Sequence, residues 1–436
     1  MFMLIIHVIA IVLALTISQQ HRLIAASIVI PVNKHTDIVK PLYTALAHFN
    51  TSSYLYYSHQ NDVPSSLPQN LLILDLDAPF IWHYSYPPQE SCDSCPYPVT
   101  CEESSCTDLR TTFSYQSLSP STPCPPSTNS SLYEGYSNCE VCPVNIINPV
   151  RPVTGSCDQV IITHYEIMFP LTNGEVYITY LTAGSAHPWN TDRFPAKVFG
   201  VIALSSSPYA LPAYLRDPVR KVTALCLPSS LSAPGALFLG AGPYYLPPPR
   251  SHVDVRSFLS YVNLRKHPIF FGYFIGVEAI VIKNRSISVP ENVTAKISTL
   301  DPYTTLRTDV YNGVVRRFLK VTKRIPRAKA VQPFGVCFNV SSGGNGTKVS
   351  GVKVANIDLM LEGGKKWSIS TANSMKQVTD DVACLAVVDG GPMSEHAIVV
   401  GAYQLEDNFL VFDLENGRFG FSSSLLRRQT SCSSFK

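Results

Sequence analysis

The stretch from Leu71 to Ser85, LLILDLDAPFIWHYS, constrains the fold more than any other part of the chain. An apolar run ends at Asp75, a short break follows, and a second apolar run continues through Trp82. Short apolar runs bounded by turn residues are typical of buried strands. The stretch therefore predicts two buried strands with a carboxylate at the turn between them. Taken alone, Asp75 also has a plainer interpretation as an ordinary turn acid.

This arrangement resembles the first catalytic motif of pepsin-like aspartic proteases, Asp-Thr/Ser-Gly-Ser/Thr. The four positions here are Asp75, Leu76, Asp77 and Ala78. Such proteases hold two carboxylates close enough to share one proton, and the pair activates a water molecule. Leu76 has no hydroxyl to donate, and Asp77 places a charged side chain where the motif has glycine. The resemblance implies that the carboxylate is retained in a degenerate motif.

The second half of the chain contains a similar stretch, ISTLDPYTTLRTDVY, at 297–311. Plant aspartic proteases carry Ile-Asp-Ser-Gly-Thr there, followed about ten residues later by a helix that opens near Val-Tyr. Counting back from Val310 and Tyr311 places Ser298 at the second catalytic aspartate. Asp301 lies three residues further on and cannot replace it without rebuilding the loop. Because one carboxylate cannot perform two-carboxylate chemistry, the resemblance implies a protease fold that is not an enzyme.

Longer stretches in the same order extend the resemblance over nearly the whole chain. They are ALCLPSS at 224–230, YFIGVEAIVI at 273–282, PFGVCFNVSS at 333–342 and GGKKWSI at 363–369. The chain resembles the plant family of catalytically inactive pepsin-like proteins that contains the extracellular dermal glycoproteins, the basic 7S globulins and the wheat-type xylanase inhibitors. The resemblance implies an all-β-dominated, bilobal pepsin-like fold with a few short helices, and neither a cofactor nor a metal.

Length, composition and termini agree with a secreted, two-lobed protein. The 436 residues are enough for two cores, and 45% hydrophobic with only 15% charged residues indicates a globular chain. The apolar run from Met1 to Ile17 predicts a secretory signal peptide over about residues 1–22, with a signal anchor as the alternative because a basic n-region is missing. We expect an N-terminal lobe over 23–220, a C-terminal lobe over 221–436, and an extracellular or cell-wall location.

The twelve cysteines predict disulfides. The Cys-x-x-Cys pairs Cys92/Cys95 and Cys139/Cys142 raise the alternative of zinc, but the gap between them is long and the chain is expected to be secreted. The family pattern implies the pairs Cys226–Cys432 and Cys337–Cys384. The remaining cysteines are Cys101, Cys106, Cys124 and Cys157. The Pro/Ser/Thr-rich segment at 117–131 is expected to be a surface loop.

The sequence predicts two hairpins and two helices with definite residue ranges. Asn173-Gly174 and Asn416-Gly417 are expected at the turns of hairpins over 165–180 and 409–421. A short helix is expected at 211–215, after a segment that resembles the part of pepsin-like proteins beneath the first aspartate. A longer helix is predicted over 308–323, with Thr308 as its cap and an apolar face. That face consists of Val310, Val314, Phe318 and Val321.

Cations cluster around the end of the predicted long helix. One interpretation is a solvated helix face whose cations are favoured by the helix dipole. The other is an anchor for an acidic wall polymer or an acidic partner. The net charge of +3 is too small to indicate nucleic-acid binding. The cations are Arg316, Arg317, Lys320, Lys323, Arg324, Arg327 and Lys329.

The C-terminal tail contains the candidate binding residues. An inhibitor of a glycoside hydrolase must oppose two carboxylates in a cleft, and guanidinium groups pair with carboxylates bidentately. The wheat-type inhibitors use a histidine shortly before the last cysteine, and counting back from Cys432 places Arg428 there, beside Arg427. The related dermal glycoprotein inhibitors of xyloglucan endoglucanase use arginine nearby. The plainer alternative is a solvated pair of tail arginines.

Three functions follow from the sequence. The first is inhibition of a microbial glycoside hydrolase, either an endoxylanase or a xyloglucan endoglucanase. The second is a wall or storage globulin that binds a peptide or a wall polysaccharide, and the third is residual aspartic endopeptidase activity, which Ser298 argues against. No nucleic acid or membrane partner is expected after signal cleavage. Six sequons predict N-glycosylation: Asn50, Asn129, Asn284, Asn292, Asn339 and Asn345.

Overall fold

A computed structural model describes residues 28–36, 40–50, 70–85, 97–113, 139–150, 158–171, 176–187, 190–217, 219–245, 253–340 and 354–435. Several predictions concern residues outside these ranges: the signal peptide, the loop at 117–131, the turn at Asn173-Gly174, four cysteines and two sequons. Those cysteines and sequons are Cys92, Cys95, Cys124, Cys157, Asn129 and Asn345.

Strands dominate both halves of the described chain. The N-terminal half contains β1 (Ile28–His35), β2 (Leu42–Asn50), β3 (Asn70–Asp75), β4 (Trp82–Tyr84), β5 (Tyr97–Pro98), β6 (Pro143–Ile146), β7 (Asp158–Pro170), β8 (Val176–Ala186) and β9 (Val198–Ala203). The C-terminal half begins with β10 (Val222–Cys226), β11 (Gly235–Leu239), β12 (Ser260–Arg265), β13 (Tyr273–Ile282), β14 (Arg285–Ile287), β15 (Thr294–Ile297), β16 (Thr304–Leu306), β17 (Arg327–Ala328) and β18 (Cys337–Asn339).

The last strands and the short helices complete the secondary structure. The strands are β19 (Ile357–Leu361), β20 (Lys365–Ile369), β21 (Met375–Gln377), β22 (Val382–Leu385), β23 (Val387–Asp389), β24 (Ile398–Val400), β25 (Phe409–Asp413) and β26 (Arg418–Phe421). The α-helices of the described ranges are α1 (Ser104–Phe113), α2 (Leu211–Tyr214), α3 (Thr308–Val321), α4 (Thr371–Ser374) and α5 (Ala402–Leu405). The 3-10 turns are Val255–Phe258, Glu362–Gly364, Leu425–Arg428 and Cys432–Ser434.

One ladder of antiparallel strands joins the two lobes. Strand β1 pairs with β2 on one side and with β11 on the other. Strand β10 joins β11 to β25, and β26 joins β25 to β12. The order of neighbours is therefore β2, β1, β11, β10, β25, β26 and β12. Because β1 belongs to the N-terminal half and β11 to the C-terminal half, the lobes share a continuous sheet, and the predicted bilobal, all-β-dominated fold is confirmed.

Each lobe contains the same crossing of four strands. In the N-terminal lobe, β9 runs parallel to β3 and antiparallel to β4, and β4 runs parallel to β8. In the C-terminal lobe, β24 runs parallel to β15 and antiparallel to β16, and β16 runs parallel to β23. This internal repeat brings the ends of β3 and β15 to equivalent positions. The lobe boundary that we placed after residue 220 stays a prediction.

The predicted hairpins are present. Strands β7 and β8 pair from Ile161↔Ser185 to Pro170↔Val176, and β25 pairs with β26 up to Asp413↔Arg418. In the second hairpin, Gly417 has a φ of 62°, a left-handed conformation that favours glycine at this turn.

Helix α3 differs from the prediction at both ends. Val310, Val314 and Phe318 of its apolar face are buried as predicted and Val321 is half-buried, but the expected cap at Thr308 is wrong. Arg307 precedes the helix without a capping side-chain bond, and the Thr308 hydroxyl instead donates to Asp389 at 2.7 Å. The helix ends at Val321, and the amide and hydroxyl of Thr322, the C-cap residue, both donate to the carbonyl of Phe318. The shorter helix α2 likewise ends at Tyr214, one residue before the predicted end.

Candidate functional site

Asp75 and Ser298 lie at equivalent places in the internal repeat. Asp75 is the last residue of β3, and Ser298 directly follows β15. Their exposed fractions are 8% and 5%. The two loops are in contact, since the Thr299 hydroxyl donates a 2.7 Å hydrogen bond to the carbonyl of Leu74. Leu76, which follows Asp75, has no hydroxyl with which to make the reciprocal bond.

The carboxyl group of Asp75 is buried beside the charged side chains of Asp77 and Lys296. One of its oxygens accepts a 2.8 Å hydrogen bond from the amide of Asp77. Burial, followed by the negative charge of Asp77, raises the pKa of Asp75 to about 6. Ala203 pairs with Asp75, and the amide of Leu204 donates to its carbonyl at 2.8 Å. The segment that ends β9 therefore lies beside this aspartate, as the sequence predicted.

The hydroxyl of Ser298 closes a tight turn. It accepts hydrogen bonds from the amides of Leu300, at 3.3 Å, and Asp301, at 3.0 Å. The backbone carbonyl of Asp301 accepts from the amide of Ala402 at 2.8 Å. The hydroxyl thus stabilises the loop, and it contributes no charge at the position equivalent to Asp75.

An ion pair that the sequence analysis missed joins the lobes at this point. The ammonium of Lys296 contacts the carboxylate of Asp77, 219 residues away along the chain. The Lys296 side chain is only 13% exposed, and its ammonium lies 5.6 Å from the ring centre of Phe270. A Cβ atom at Gly272 would come within 2.5 Å of Asp77. Alternation along β15 places Lys296 on the same face as Ser298, which is the signal that could have revealed it.

Two histidines lie beside Lys296. The rings of His267 and His396 are 5.8 Å apart, and both contact the ring of Phe270. Burial and the positive charge of Lys296 lower the pKa of His396 to about 4, so its imidazole is neutral at physiological pH. Across the described ranges, no three or more His, Cys, Asp or Glu side chains form a cluster that could hold a metal ion.

Arg427 and Arg428 lie on an exposed turn of the C-terminal tail. They end the 3-10 turn that begins at Leu425, and both are exposed. The guanidinium of Arg428 lies 3.8 Å from the ring centre of Phe258, a cation–π contact. The two arginines therefore form a site that is separate from Asp75 and Ser298. The arginines are exposed on the surface, whereas Asp75 and Ser298 are buried between the lobes.

Asp407 fixes both ends of the arginine-bearing turn. Its backbone carbonyl accepts from the amide of Leu425 at 2.7 Å, and its carboxylate accepts from the amide of Cys432 at 2.9 Å. Leu425 and Cys432 are fully buried, whereas Leu426 is 45% exposed. The turn between these anchors is therefore held in a defined position on the surface.

Four disulfides join cysteines of the described residues. The pairs Cys226–Cys432 and Cys337–Cys384 are those that the family pattern implied. The other two are Cys101–Cys139 and Cys106–Cys142. Because Cys139 and Cys142 are oxidised with separate partners, this Cys-x-x-Cys pair does not bind zinc. The cysteines at 92, 95, 124 and 157 lie outside the described residues.

The sequons differ in exposure. Asn284 and Asn292 are exposed in turns with positive φ, and Asn339 is half-buried in β18. Among the residues that the structure covers, no helix has the length and apolar character needed to cross a bilayer.

Comparisons with known proteins agree with the fold. The family models described as "Xylanase inhibitor N-terminal" and "Xylanase inhibitor C-terminal" match residues 60–241 and 272–423. The chain is similar to "Gamma conglutin 1" of Prunus dulcis, with 37% identity over 65% of this chain and 68% of that protein. It is also similar to "Probable aspartic proteinase GIP2" of Nicotiana benthamiana, with 40% identity over 49% of this chain and 52% of that one.

A solved structure extends the similarity to the whole fold. The crystal structure of edgp superposes with a TM-score of 0.75 and 26% identity, covering 94% of this chain and 98% of that one. Both lobes are therefore present in the same arrangement. The chain belongs to the plant family of pepsin-like xylanase-inhibitor proteins that also contains the gamma conglutins, the basic 7S globulins and the extracellular dermal glycoproteins.

Proposed function

We propose that this protein is a secreted, catalytically inactive inhibitor of a microbial cell-wall-degrading glycoside hydrolase, either an endoxylanase or a xyloglucan endoglucanase. The observation that carries the proposal is the fixed position of Arg428. Its guanidinium stacks on Phe258 at 3.8 Å, on a turn that Asp407 anchors at both ends. An arginine held in this way loses little side-chain entropy when a partner binds.

The chemistry of the target matches an arginine plug. Glycoside hydrolases flank the scissile bond with two carboxyl groups in a cleft. A guanidinium presents a planar fork of donors that pairs bidentately with a carboxylate, and exclusion of water strengthens the pair. Arg427 adds a second cation on the same turn, and the exposed Leu426 adds apolar area beside it. The three side chains form a small contact surface with a charged centre.

Lack of peptidase activity is part of the proposal. Pepsin-like catalysis needs two carboxyl groups that share a proton. The equivalent positions here carry Asp75 and Ser298. The Ser298 hydroxyl already accepts two hydrogen bonds from backbone amides of its own turn. The Asp77–Lys296 ion pair further occupies the space between the lobes where the degenerate motif lies. These features support the assignment of a protease fold without proteolysis.

Secretion is proposed on the cysteine chemistry. Disulfides persist in oxidising compartments and are rare in the cytosol, and this chain forms four of them among the described residues. The exposed sequon at Asn292 is a suitable glycosylation site in an extracellular protein. We place the protein in the cell wall or apoplast.

A second candidate function is that of a globulin-like protein that binds a peptide or a wall polysaccharide. The similarity to gamma conglutin 1 favours it. In that case the tail arginines would be ordinary solvated residues, and their removal would leave the function unchanged.

A titration against purified enzymes distinguishes these functions. We expect the mature protein to inhibit one fungal endoxylanase or xyloglucan endoglucanase stoichiometrically, and Arg428→Ala to relieve the inhibition. Arg216→Ala removes an exposed arginine elsewhere and serves as the matched control. Absence of inhibition across a broad panel would favour the globulin function. Pepstatin-sensitive cleavage of a quenched peptide at acid pH would favour residual peptidase activity.

A further inference from the structure

Nine cations lie on neighbouring elements of the C-terminal lobe and are called the basic face below. They come from α3, from the segment that follows it, and from the turn between β13 and β14. All are exposed except Arg317, which is half-buried. The basic face consists of Lys283, Arg285, Arg316, Arg317, Lys320, Lys323, Arg324, Arg327 and Lys329.

Arg317 connects the helix to the hairpin turn. Its guanidinium donates to the carbonyl of Ile282 at 3.0 Å and to the carbonyl of Lys283 at 2.9 Å. Lys283 and Asn284 both have positive φ, which makes the two-residue turn between β13 and β14 tight. These hydrogen bonds hold the turn that carries Lys283 and Arg285 against α3. The turn lies more than 30 residues before Arg317 along the chain.

The basic face lacks neutralising carboxylates. No Asp or Glu occurs between Val310 and Asn339. Among the described residues, the ion pairs all involve other cations. The whole chain carries a net charge of only +3, so this face concentrates positive charge that the rest of the surface offsets. Like charges held close together repel one another, and this repulsion destabilises the folded state.

The helix dipole explains only a small part of this arrangement. The dipole favours cations in the last turn of a helix, and its effect decays within that turn. Lys320 lies in the last turn of α3. Lys283 and Arg285 belong to a different element, and Arg327 and Lys329 lie beyond the helix. The helix dipole therefore does not account for the cations outside the last turn of α3.

We propose that the basic face binds a linear polyuronate, a polysaccharide with a carboxylate on each sugar. Five of the nine cations are arginines, whose guanidinium groups pair with carboxylates in a fork geometry. The aromatic residues of these elements are unsuited to stacking on nucleic-acid bases, because Phe318 and Phe338 are buried and Tyr311 is half-buried. This site is separate from the arginine turn and independent of the inhibitor function.

Binding of the full-length protein to immobilised polygalacturonate tests the proposal. All proteins carry Ser286→Ala, which removes the sequon at Asn284 without replacing the residue in the positive-φ turn. The test variant Arg316→Gln/Lys320→Gln/Arg324→Gln neutralises exposed cations of the basic face and leaves the Arg317 hydrogen bonds intact. The control Arg193→Gln/Arg216→Gln/Lys266→Gln removes the same charge from exposed positions elsewhere. Circular dichroism verifies that both variants fold.

We expect the basic-face variant to bind at least about tenfold more weakly, with a shallower dependence on salt, because fewer counterions are released. The control variant should bind like the parent, and fully methyl-esterified polymer should not bind. Equal losses in the two variants would overturn the proposal in favour of net charge alone. Equal binding to the esterified polymer would also overturn it. Tighter binding to single-stranded DNA of matched charge would reassign the face to nucleic acid.

Discussion

Asp77 and Lys296 form an ion pair across the boundary between the two lobes, beside the buried carboxyl group of Asp75. Asp77 stands where a pepsin-like motif has glycine, and Lys296 lies on the strand that leads to Ser298. The added acid is thus matched by a cation from the opposite lobe. This relationship gives the degenerate motif a structural role that depends on charge balance.

The first prediction concerns the strength of this pair. Lys296→Met should lower the free energy of unfolding by about 1 to 3 kcal/mol, because it leaves a largely buried carboxylate without its partner. The loss should be smaller than for a fully buried pair, since the Asp77 side chain is 29% exposed. Adding Asp77→Ala to the Lys296→Met variant should recover part of the lost free energy of unfolding. Urea denaturation of both single variants and the double variant measures the coupling. Strictly additive effects would show that the pair does not stabilise the lobe boundary.

A second prediction follows from the pKa of Asp75. Its pKa is about 6 in the folded protein and 3.8 in the absence of burial, so its ionisation disfavours the native state. The stabilising effect of the protonated carboxyl is complete below about pH 4 and is lost as the pH rises through 6. The variant Asp75→Asn should match the parent at pH 4 and exceed its stability by up to about 3 kcal/mol at pH 7.

Thermal or urea unfolding across this pH range tests the second prediction. Asp217→Asn removes an exposed carboxyl and controls for the change in net charge. A stability difference between Asp75→Asn and the parent that stays constant with pH would contradict the assignment.

Local patterns in the sequence were sufficient for the strand that ends at Asp75 and for the last hairpin. The apolar run before Asp75 became β3, whereas the run through Trp82 shares only Trp82 with β4. The Asn416-Gly417 signal marked the turn of the last hairpin. The Cys226–Cys432 and Cys337–Cys384 pairs were implied by the family pattern rather than by spacing.

Interactions between distant residues limited the prediction elsewhere. Lys296 lies within an ordinary strand pattern, and only the fold brings it to Asp77. The Thr308 hydroxyl could cap the helix locally but bonds to Asp389, 81 residues away. The contact between Arg428 and Phe258 also joins residues that are distant in sequence. Each of these contacts depends on the arrangement of the strands in the fold. Hydrophobic alternation and secondary-structure propensity along the sequence do not predict that arrangement.

The third prediction concerns how Arg428 is positioned. Phe258→Leu keeps an apolar side chain but removes the aromatic face beneath the guanidinium. Contacts of this kind contribute about 0.5 to 1 kcal/mol at exposed sites. We therefore expect inhibition of the proposed target hydrolase to weaken about two- to fivefold, with only a small fall in the unfolding midpoint, because Phe258 also packs against the hydrophobic core. Tyr245→Leu, at an exposed tyrosine, is the control. Undiminished inhibition by Phe258→Leu would show that the stacking does not position Arg428.

The last prediction separates the stability of the fold from the position of the arginine turn. The Cys226–Cys432 disulfide closes a span of 206 residues and anchors the tail four residues after Arg428. In the chain-entropy model its removal costs up to about 5 kcal/mol.

Cys337–Cys384 spans 47 residues and lies away from the tail, so Cys337→Ser/Cys384→Ser is the matched control. Both double variants should unfold at lower urea concentration, but only Cys226→Ser/Cys432→Ser should also inhibit the hydrolase more weakly while still folded. Equal loss of inhibition in the two would mean that general destabilisation, and not release of the turn, weakens binding. Full inhibition by the Cys226→Ser/Cys432→Ser protein would show that Asp407 alone is enough to hold the arginines in place.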